Sequence, residues 1–392
     1  MTRTGHLMIF LGIFAIVIAL SHFYLFARIS YFLQLMDGQR RFAALLLGCL
    51  AVLTFISIPI SRVLPREAET AFAWVVFPWM GLALLMIVAM LATDVLWLLI
   101  KLAPPPPMHD PDRRLLIQRA FGITALGASG LLGAFSLWNG LRQVTVKPLT
   151  VRLNRLPKSL DGFKIVQITD LHIGPIIDGE WLRQIVDRVN ALKPDIIVVT
   201  GDLADGSVEK LGHQVAPIAE LTAPLGVYYI SGNHEYFYGV EPWCAHIASL
   251  GLRVLRNERV SIVAGLQRDC FDLAGVDDWS SRRFSGQGPD LPKALAGRDP
   301  DKTLVLLAHQ PVAIDEAAAH GVDLQLSGHT HGGQIWPFNY AVQLQQPYVD
   351  GLHRHRDTAT QIYVSSGTGL WGPPMRFGTA AEITNITLRS AT

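Results

Sequence analysis

The chain has 392 residues, of which 50% are hydrophobic and 17% are charged, so its length suggests about two domains with a marked apolar bias. A formal net charge of +1 gives no electrostatic reason to expect a nucleic acid as a partner. Three cysteines, none in a Cys-x-x-Cys spacing, argue against a disulfide scaffold and a thiolate zinc site, and Cys244 and Cys270 can pair or stay free.

Residues 1–140 hold almost all of this apolar excess. Four segments, each long enough to cross a bilayer as a helix of roughly 20 residues, stand out there. They cover about 7–26, 42–64, 71–100 and 115–138. A cleavable signal peptide is disfavoured, because only Arg3 precedes the first segment and further segments follow. Since ionisable side chains are nearly absent from the segments, a four-helix transmembrane region is favoured over buried helices of a soluble core.

Asp94, towards one end of the third segment, is the exception. An acidic residue at membrane depth is a functional candidate by default, but near the interface a solvated helix end is the favoured interpretation.

Basic residues in the short loops indicate the orientation of the segments. About seven follow the first and third segments, against about five on the opposite side, which assigns the former loops to the cytoplasm. The fourth segment begins near Arg113-Arg114 and loosely resembles a twin-arginine export signal. We therefore expect a multi-pass protein of the inner or plasma membrane, with its catalytic domain on the periplasmic or extracellular side.

The proline run 104–107 is typical of a stiff extended linker between the third and fourth segments. After about residue 140 the composition changes sharply, and we expect a linker and lead-in over 141–159 and a second domain over 160–392. Short apolar runs bounded by Gly, Asp, Ser and Pro predict strands in that domain. They cover 164–169, 195–200, 226–231, 271–275, 303–308, 322–327, 361–365 and 382–388. Helical spacing of apolar residues over 179–193 and 211–221 completes an α/β pattern.

Five of the predicted strands are each followed by side chains that can bind a metal. In chain order these are Asp170 and His172; Asp202 and Asp205; Asn233, His234 and Glu235; His309; and His329 and His331. The carboxyl edge is where ligands bind in open α/β sheets, so strands running in one direction would bring the clusters together. One such cluster alone is equally compatible with a turn or a helix cap, but five of them in this position favour a metal site.

The donors of these clusters are carboxylates, imidazoles and one amide, without sulfur. Such a set suits Mn, Fe, Zn or Mg better than a closed structural zinc site. Seven ligands are too many for one ion with an open position, and two ions about 3.5–4 Å apart form the usual clamp for displacement at phosphorus. Such a pair holds a bridging water as hydroxide, which predicts a phosphoester substrate.

The order Asp-x-His, Gly-Asp-x-x-Asp, Gly-Asn-His-Glu, His and Gly-His-x-His resembles the calcineurin-like metallophosphoesterase superfamily over roughly residues 160–390. Asp-Leu-His-Ile-Gly and Gly-His-Thr-His-Gly-Gly-Gln resemble its YkuE/YaeI-type branch, which includes transmembrane proteins with such a domain. The resemblance implies a β-sandwich core flanked by helices, rather than a simple doubly wound sheet.

The resemblance also implies seven ligands for two divalent ions of Mn, Fe or Zn. They are Asp170, His172 and His331 for the first ion, Asn233, His309 and His329 for the second, and Asp202 as the bridge. His234 would stabilise or protonate the leaving oxygen. Asp205 would orient His234 and fix its tautomer.

Other positions carry weaker signals. Arg282 and Arg283 can hold a substrate phosphate or lie in a solvated loop. The stretch 367–378 resembles a loop of the branch that is usually followed by Pro-Glu, where Ala381-Glu382 stands here. In that loop Trp371 and Met375 suit either a lipid-like substrate or ordinary packing. His353 and His355 match no motif and are expected on the surface.

Several functions compete. The leading one is hydrolysis of a phosphoester, of a cell-envelope lipid or glycolipid, by a membrane-embedded enzyme. A UDP-diacylglucosamine-type pyrophosphate hydrolase is the alternative, and it requires a cytoplasmic site, against the charge bias. A non-catalytic receptor or scaffold is disfavoured because every ligand is present. A transporter is disfavoured because the apolar segments offer almost no polar pathway.

Overall fold

The computed structural model describes residues 3–60, 63–102, 111–264, 269–284 and 288–391. The chain forms two compact units. One comprises Met1–Asn139 with Gly372–Met375, and the other comprises Gly140–Trp371 with Arg376–Thr392. The predicted proline linker 104–107 lies outside the described residues.

The first unit contains four long apolar helices. They are α1 (Arg3–Leu33), α2 (Asp37–Ile60), α3 (Arg66–Leu102) and α4 (Pro111–Leu141), whose last two residues belong to the second unit. Each is long and apolar enough to cross a membrane. Leu25, Phe32 and Met90 are buried between them. A Cβ atom added at Gly122 would lie 2.6 Å from the Cβ of Phe32, so this glycine allows close helix packing.

Asp94 is not a simple solvated helix end, in contrast to the expectation from sequence. Its Oδ2 atom lies 2.8 Å from Nε of Arg28 and accepts a hydrogen bond of 2.7 Å from the Tyr24 hydroxyl. The contacts join α3 to α1, because a carboxylate in an apolar helix needs a cation or hydrogen-bond donors to offset its desolvation. The pair links two helices of this unit.

The second unit is built from two six-stranded sheets. The first sheet has the order β1 (Thr145–Leu153), β12 (Glu382–Ser390), β2 (Lys164–Ile168), β3 (Ile196–Thr200), β4 (Val227–Ile230) and β5 (Arg253–Val254). The second has the order β10 (Gly351–Arg354), β11 (Gln361–Val364), β9 (Leu324–Ser327), β8 (Leu304–Leu307), β7 (Asp269–Gly275) and β6 (Glu258–Ala264). Ile165 and Val198 of the first sheet share one apolar core with Phe271 and Leu307 of the second.

Among the described residues of this unit, eight α-helices accompany the sheets. They are α5 (Gly179–Ala191), α6 (Val208–Val215), α7 (Asn233–Tyr238), α8 (Val240–Ser249), α9 (Ser281–Phe284), α10 (Leu291–Ala294), α11 (Ile314–Ala319) and α12 (Phe338–Gln343). The apolar stripe of α5 packs on the first sheet, and Asp178 caps this helix by accepting from the Trp181 amide. Ile314 of α11 belongs to a core on the second sheet. The predicted fold class, four apolar helices and an α/β domain with a sandwich core, is confirmed.

The eight predicted strands correspond to β2, β3, β4, β7, β8, β9, β11 and β12. The other four strands were not predicted. β1 lies inside the predicted linker 141–159 and pairs in parallel with β12. It contains Pro148, which is tolerated because β1 is an edge strand, and only Val151 and Leu153 of its residues are buried. Its position in the sheet comes from pairing with a strand over 200 residues later, which no local pattern reveals.

One edge of the sheets gathers the carboxyl ends of the central strands. β2, β3 and β4 are mutually parallel in the first sheet, and β7, β8 and β9 are parallel in the second. β12 runs antiparallel to β2 and parallel to β1, so Thr145, the first residue of β1, also lies at this edge. We call it the site edge, because the predicted ligands follow these strands.

Candidate metal centre

The structure brings all nine predicted site residues to the site edge. They directly follow β2, β3, β4, β8 and β9, as the sequence predicted. Asp170 and His172 follow β2, Asp202 and Asp205 follow β3, Asn233 and His234 open α7, His309 follows β8, and His329 and His331 follow β9. All except Asp205 and His329 are buried.

The first group of donors contains Asp170, His172 and His331, whose ligand atoms lie within 4.8 Å of one another. Nε2 of His331 is 3.0 Å from Nε2 of His172 and 3.5 Å from Oδ1 of Asp170. Nδ1 of His172 lies 2.9 Å from Oδ1 of Asp205. An ionised carboxylate only accepts hydrogen bonds, so Nδ1 carries the proton and Nε2 presents a lone pair.

The second group contains Asp202, His309 and His329, again within 4.8 Å. Nε2 of His309 lies 3.2 Å from Oδ2 of Asp202 and 3.2 Å from Oδ1 of Asn233. Nδ1 of His309 donates to the Thr200 carbonyl at 2.7 Å, which leaves Nε2 to face the other donors.

Asp202 lies between the two groups. Its Oδ2 atom is 3.2 Å from Nε2 of His309 and 3.9 Å from Nε2 of both His172 and His234. One carboxylate therefore reaches imidazoles of both groups and the imidazole of His234.

A third cluster, formed by His172, Asp205 and His234, is a hydrogen-bonded arrangement. Oδ1 of Asp205 accepts from Nδ1 of His234 at 2.6 Å and from Nδ1 of His172 at 2.9 Å. Because Nδ1 of each ring donates a proton to Asp205, this cluster is better suited to orienting the two imidazole rings than to binding an ion. The sequence predicted the contact with His234, whereas the second contact, with His172, was missed.

Five of the nine residues have a backbone conformation that non-glycine residues rarely adopt. The φ angles are 54° at Asp170, 48° at His172, 53° at Asp202, 70° at His329 and 51° at His331. Each such residue costs about 1–3 kcal/mol unless its surroundings impose it, and such strain clusters at functional sites. The loops that carry the donors of both groups therefore share this conformation.

Two glycines allow the strand ends to approach each other. A Cβ atom at Gly232 would lie 2.1 Å from Oδ1 of Asp202, and one at Gly328 would lie 2.1 Å from Oδ2 of Asp170. Any other residue at these positions would displace a carboxylate of the cluster.

Glu235 supports the site and was not assigned a role from sequence. Its fully buried carboxylate accepts from the backbone amides of Asp202, Leu203 and Gly232. The contacts join the loop after β3 to the start of α7, as the carboxylate of a capping box does. A glutamate three residues after Gly232 was the signal that could have predicted this role.

Burial and neighbouring charges set the protonation of the imidazoles. Burial, together with the charge of His309, lowers the pKa of His329 to about 3. Burial and the charges of His172 and Arg376 hold the pKa of His331 well below its ordinary value. Both rings are therefore neutral at physiological pH, which is the form that binds metals.

His234 has the opposite shift. Burial acts to lower its pKa, but the carboxylates of Asp202 and Asp205 outweigh burial and raise the pKa to about 9. The imidazole is therefore protonated near neutral pH in the metal-free protein.

Arg376 shapes the loop that the sequence singled out at 367–378. This fully buried guanidinium donates through Nη2 to the carbonyls of Gly367 and Gly369, at 3.2 and 2.7 Å. Nη1 donates to the carbonyl of His331 at 3.4 Å. The contacts hold the loop against the His331 turn, and Trp371, 52% exposed, lies with its ring 6.1 Å from that of His234.

The remaining candidates have other surroundings. His353 is exposed as expected, but the prediction for His355 was wrong, because its buried ring contacts the Tyr348 hydroxyl at 3.1 Å and Asp315 at 3.0 Å. The guanidinium of Arg282 lies 4.2 Å from the centre of the Trp279 ring. Cysteines 49, 244 and 270, all within the described residues, are unpaired.

The donor set fits two divalent ions. Oxygen and imidazole ligands converge from both groups, and His172 and His309 each direct Nε2 inwards because Nδ1 is bonded elsewhere. Two buried carboxylates supply the negative charge that cations in this space would neutralise.

The comparison with protein families agrees with this geometry. The calcineurin-like phosphoesterase family matches residues 163–333. A transmembrane protein with metallophosphoesterase domain from Bos taurus is 41% identical over 294 residues, covering 72% of this chain and 65% of that protein. An uncharacterized metallophosphoesterase of Helicobacter pylori is 41% identical over 261 residues, covering 66% of this chain and 68% of that protein. The chain thus spans about two thirds of the length of these relatives.

A shorter relative is matched almost completely. The uncharacterized metallophosphoesterase YkuE of Bacillus subtilis is 33% identical over 294 residues, covering 72% of this chain and 99% of that protein. The chain therefore belongs to the calcineurin-like metallophosphoesterase family, whose members depend on two metals. With its four apolar helices and its transmembrane relative, it is a membrane protein of that family.

Proposed function

We propose that this chain is a membrane-anchored phosphoesterase that hydrolyses a phosphoester with two divalent ions. One observation carries the proposal. Oδ2 of Asp202 lies within 3.9 Å of imidazoles of both donor groups and of the imidazole of His234. The division into 1–140, 141–159 and 160–392 is retained as part of the proposal, with the predicted linker contributing β1 to the sheet.

Two ions would be held by the residues that the sequence indicated. The ligands are Asp170, His172 and His331 for one ion, Asn233, His309 and His329 for the other, and Asp202 for both. Mn, Fe or Zn suits these donors. When bound, the ions supply Lewis acidity at the phosphoryl group and a nucleophile from water at neutral pH.

The protein's own side chains complete the chemistry. His234 donates Nδ1–H to Asp205, so that Nε2 is directed towards Asp202 and the space between the donor groups. A protonated Nε2 in this position donates a proton to the leaving oxygen as the ester bond breaks. Asp205 orients the ring and favours its protonated form.

The anchor suggests where the substrate is found. Four apolar helices keep the site near a bilayer, which favours a cell-envelope lipid or glycolipid as the source of the phosphoester. The loop charges favour a periplasmic or extracellular site. A reporter fused to the C-terminus tests the side, and a cytoplasmic signal would favour the alternative UDP-diacylglucosamine-type pyrophosphate hydrolase.

The activity is tested with the full chain in nanodiscs, on aryl phosphate monoesters and diesters. Metal-stripped protein is compared before and after addition of Mn²⁺, beside Asp202→Asn and the matched surface control Asp301→Asn. We expect metal-dependent turnover in the parent and in Asp301→Asn, and its loss in Asp202→Asn. Turnover that needs no metal, or that survives Asp202→Asn, would contradict the two-metal proposal.

A further inference from the structure

Exposed apolar side chains of the second unit are concentrated at the site edge. Between residues 142 and 391, eight large apolar side chains are exposed among the described residues. They are Phe237, Val263, Trp336, Phe338, Tyr340, Leu344, Leu352 and Trp371. Five of them, Phe237, Trp336, Phe338, Tyr340 and Leu344, lie on segments that carry site residues, and the ring of Trp371 lies 6.1 Å from that of His234. We call these six the aromatic rim.

The aromatic rim is attached to the candidate metal centre at several points. The rings of Phe237 and Trp371 lie 5.2 and 6.1 Å from the ring of His234. The side chain of Gln334 accepts from the Trp371 amide at 3.0 Å and donates to the Trp371 carbonyl at 2.9 Å. Two members of the rim, Phe237 and Trp371, therefore flank the imidazole that faces the leaving group in the proposed function.

Residues 332–349, which carry most of the rim, begin and end beside the turn that holds His331. At their start, Gly333 packs so closely on α12 that a Cβ atom would lie 2.4 Å from Cα of Asn339. At their end, the carbonyl of Val349 accepts from the hydroxyl of Thr330. Residues 332–349 are thus an excursion that begins and ends at the metal turn.

This excursion contains no charged residue. Residues 332–349 read Gly-Gly-Gln-Ile-Trp-Pro-Phe-Asn-Tyr-Ala-Val-Gln-Leu-Gln-Gln-Pro-Tyr-Val, and 367–375 likewise carry no charge. Soluble domains rarely expose a contiguous surface of this kind without a partner. Exposed Trp, Tyr, Phe and Leu without charge are typical of protein surfaces that lie in the headgroup region of a membrane.

The chain connects the last apolar helix to this edge through a short segment. The last apolar helix ends at Leu141, and β1 begins at Thr145 on the site edge. Four residues of extended chain span at most about 14 Å, since each adds about 3.3–3.6 Å. The strand that receives the chain from the membrane segment therefore starts at the edge that carries the candidate metal centre and the rim.

We propose that the aromatic rim inserts into the headgroup region of the membrane that anchors the chain, so that the substrate is a lipid-phase phosphoester delivered to the site from the bilayer. The substrate part of this inference rests on the proposed function, whereas membrane contact by the rim does not. The apolar portion of such a substrate would pass along Trp371 and Phe237 as its phosphoryl group reaches the donor groups.

Membrane contact is tested by fluorescence quenching on the full chain in nanodiscs that contain headgroup-level spin-labelled phospholipid. A thiol-reactive bimane is attached to Leu344→Cys, with Val263→Cys as the matched control, in a Cys49→Ala, Cys270→Ala background. Burial raises the pKa of the Cys244 thiol to about 12, so that thiol stays unlabelled. Val263 is also an exposed apolar residue, and it lies next to Ala264, which pairs with the first residue of β7 at the opposite edge.

We expect quenching of the Leu344→Cys probe to exceed that of the Val263→Cys probe severalfold. Equal quenching of the two probes would overturn the inference, whatever the catalytic activity of the protein.

The substrate class is tested with two esters that share one reacting group. Ethyl p-nitrophenyl phosphate is assayed in solution and hexadecyl p-nitrophenyl phosphate in the nanodisc, with the parent chain and with Phe338→Ser/Leu344→Ser. We expect the double variant to hydrolyse the soluble ester at the parental rate and the embedded ester about tenfold more slowly. An equal rate on the embedded ester would overturn the inference. If the parent chain does not hydrolyse the soluble ester, that result would instead contradict the proposed function.

Discussion

The two sheets of the phosphoesterase unit contribute different chemistry to the same site. The first sheet supplies both carboxylates of the donor groups, the imidazole of His172, the amide of Asn233 and the acid candidate His234. The second sheet supplies imidazoles alone, from His309, His329 and His331. The negative charge of the donor groups therefore comes from the first sheet, and most of their neutral donors come from the second.

The donors that follow the two sheets are also held in place differently. On the first sheet, carboxylates position the donors, since Glu235 accepts from three backbone amides and Asp205 accepts from two imidazoles. On the second sheet, the backbone positions the donors, through the Thr200 carbonyl at His309 and the close approach of Gly328 to Asp170. Substitutions in the first sheet should therefore change charge, and those in the second should change geometry.

Asp202→Asn should have the largest effect. It removes the one carboxylate that reaches both donor groups, so we expect kcat to fall by at least about 10³-fold together with metal content. Metal content measured by mass spectrometry and turnover of aryl esters check this. Full metal occupancy with near-parental kcat would show that charge on the first sheet is not what holds the ions.

His234→Gln should have the next largest effect on kcat. It removes the proton donor but none of the proposed ligands, so we expect kcat to fall by about 10²-fold or more with unchanged metal content. The loss should be smaller for p-nitrophenyl esters than for alkyl esters, because a weakly basic leaving oxygen needs less protonation. An equal loss on both kinds of ester would indicate a structural role for His234 instead.

Asp205→Asn separates the two rings that Asp205 contacts. An amide cannot replace a carboxylate that accepts from both His172 and His234, so we expect kcat to fall by about 10- to 100-fold. If orientation of His234 dominates, metal affinity stays parental, and if orientation of His172 dominates, metal affinity falls as well. Isothermal titration with Mn²⁺ beside the kinetics distinguishes the two, and Asp301→Asn is the control.

Gly328→Ala tests the geometric contribution of the second sheet. The added Cβ would collide with Oδ2 of Asp170, so we expect a loss of about 1–3 kcal/mol in the free energy of unfolding. Gly251→Ala is the control, because a Cβ there meets open space and only its φ of 92° opposes the change. Thermal melts with and without Mn²⁺ measure the loss of stability in both variants. A loss no greater than that of the control would mean that the loop after β9 can shift.

Much of the site was predictable because its signals are local. A central parallel strand is a continuous apolar run, as in β3, where all five residues are buried, and its carboxyl end is marked where polar residues begin. Edge strands lack this mark, so β1 was taken for a linker and β10 was missed. His355 was misjudged for a related reason, since its burial depends on Tyr348 and Asp315, from separate parts of the chain.

The sequence by itself determined the four apolar helices, the positions of the central strands along the chain, and which side chains would meet at their carboxyl ends. These features follow from hydrophobic periodicity and from the direction of parallel strands, which a short stretch of chain encodes. Only the tertiary structure decided that Asp205 serves two histidines, that Glu235 ties two loops together, and that Phe237 and Trp371 flank His234. Each of these depends on the distance between residues far apart in the chain, and packing alone sets that distance.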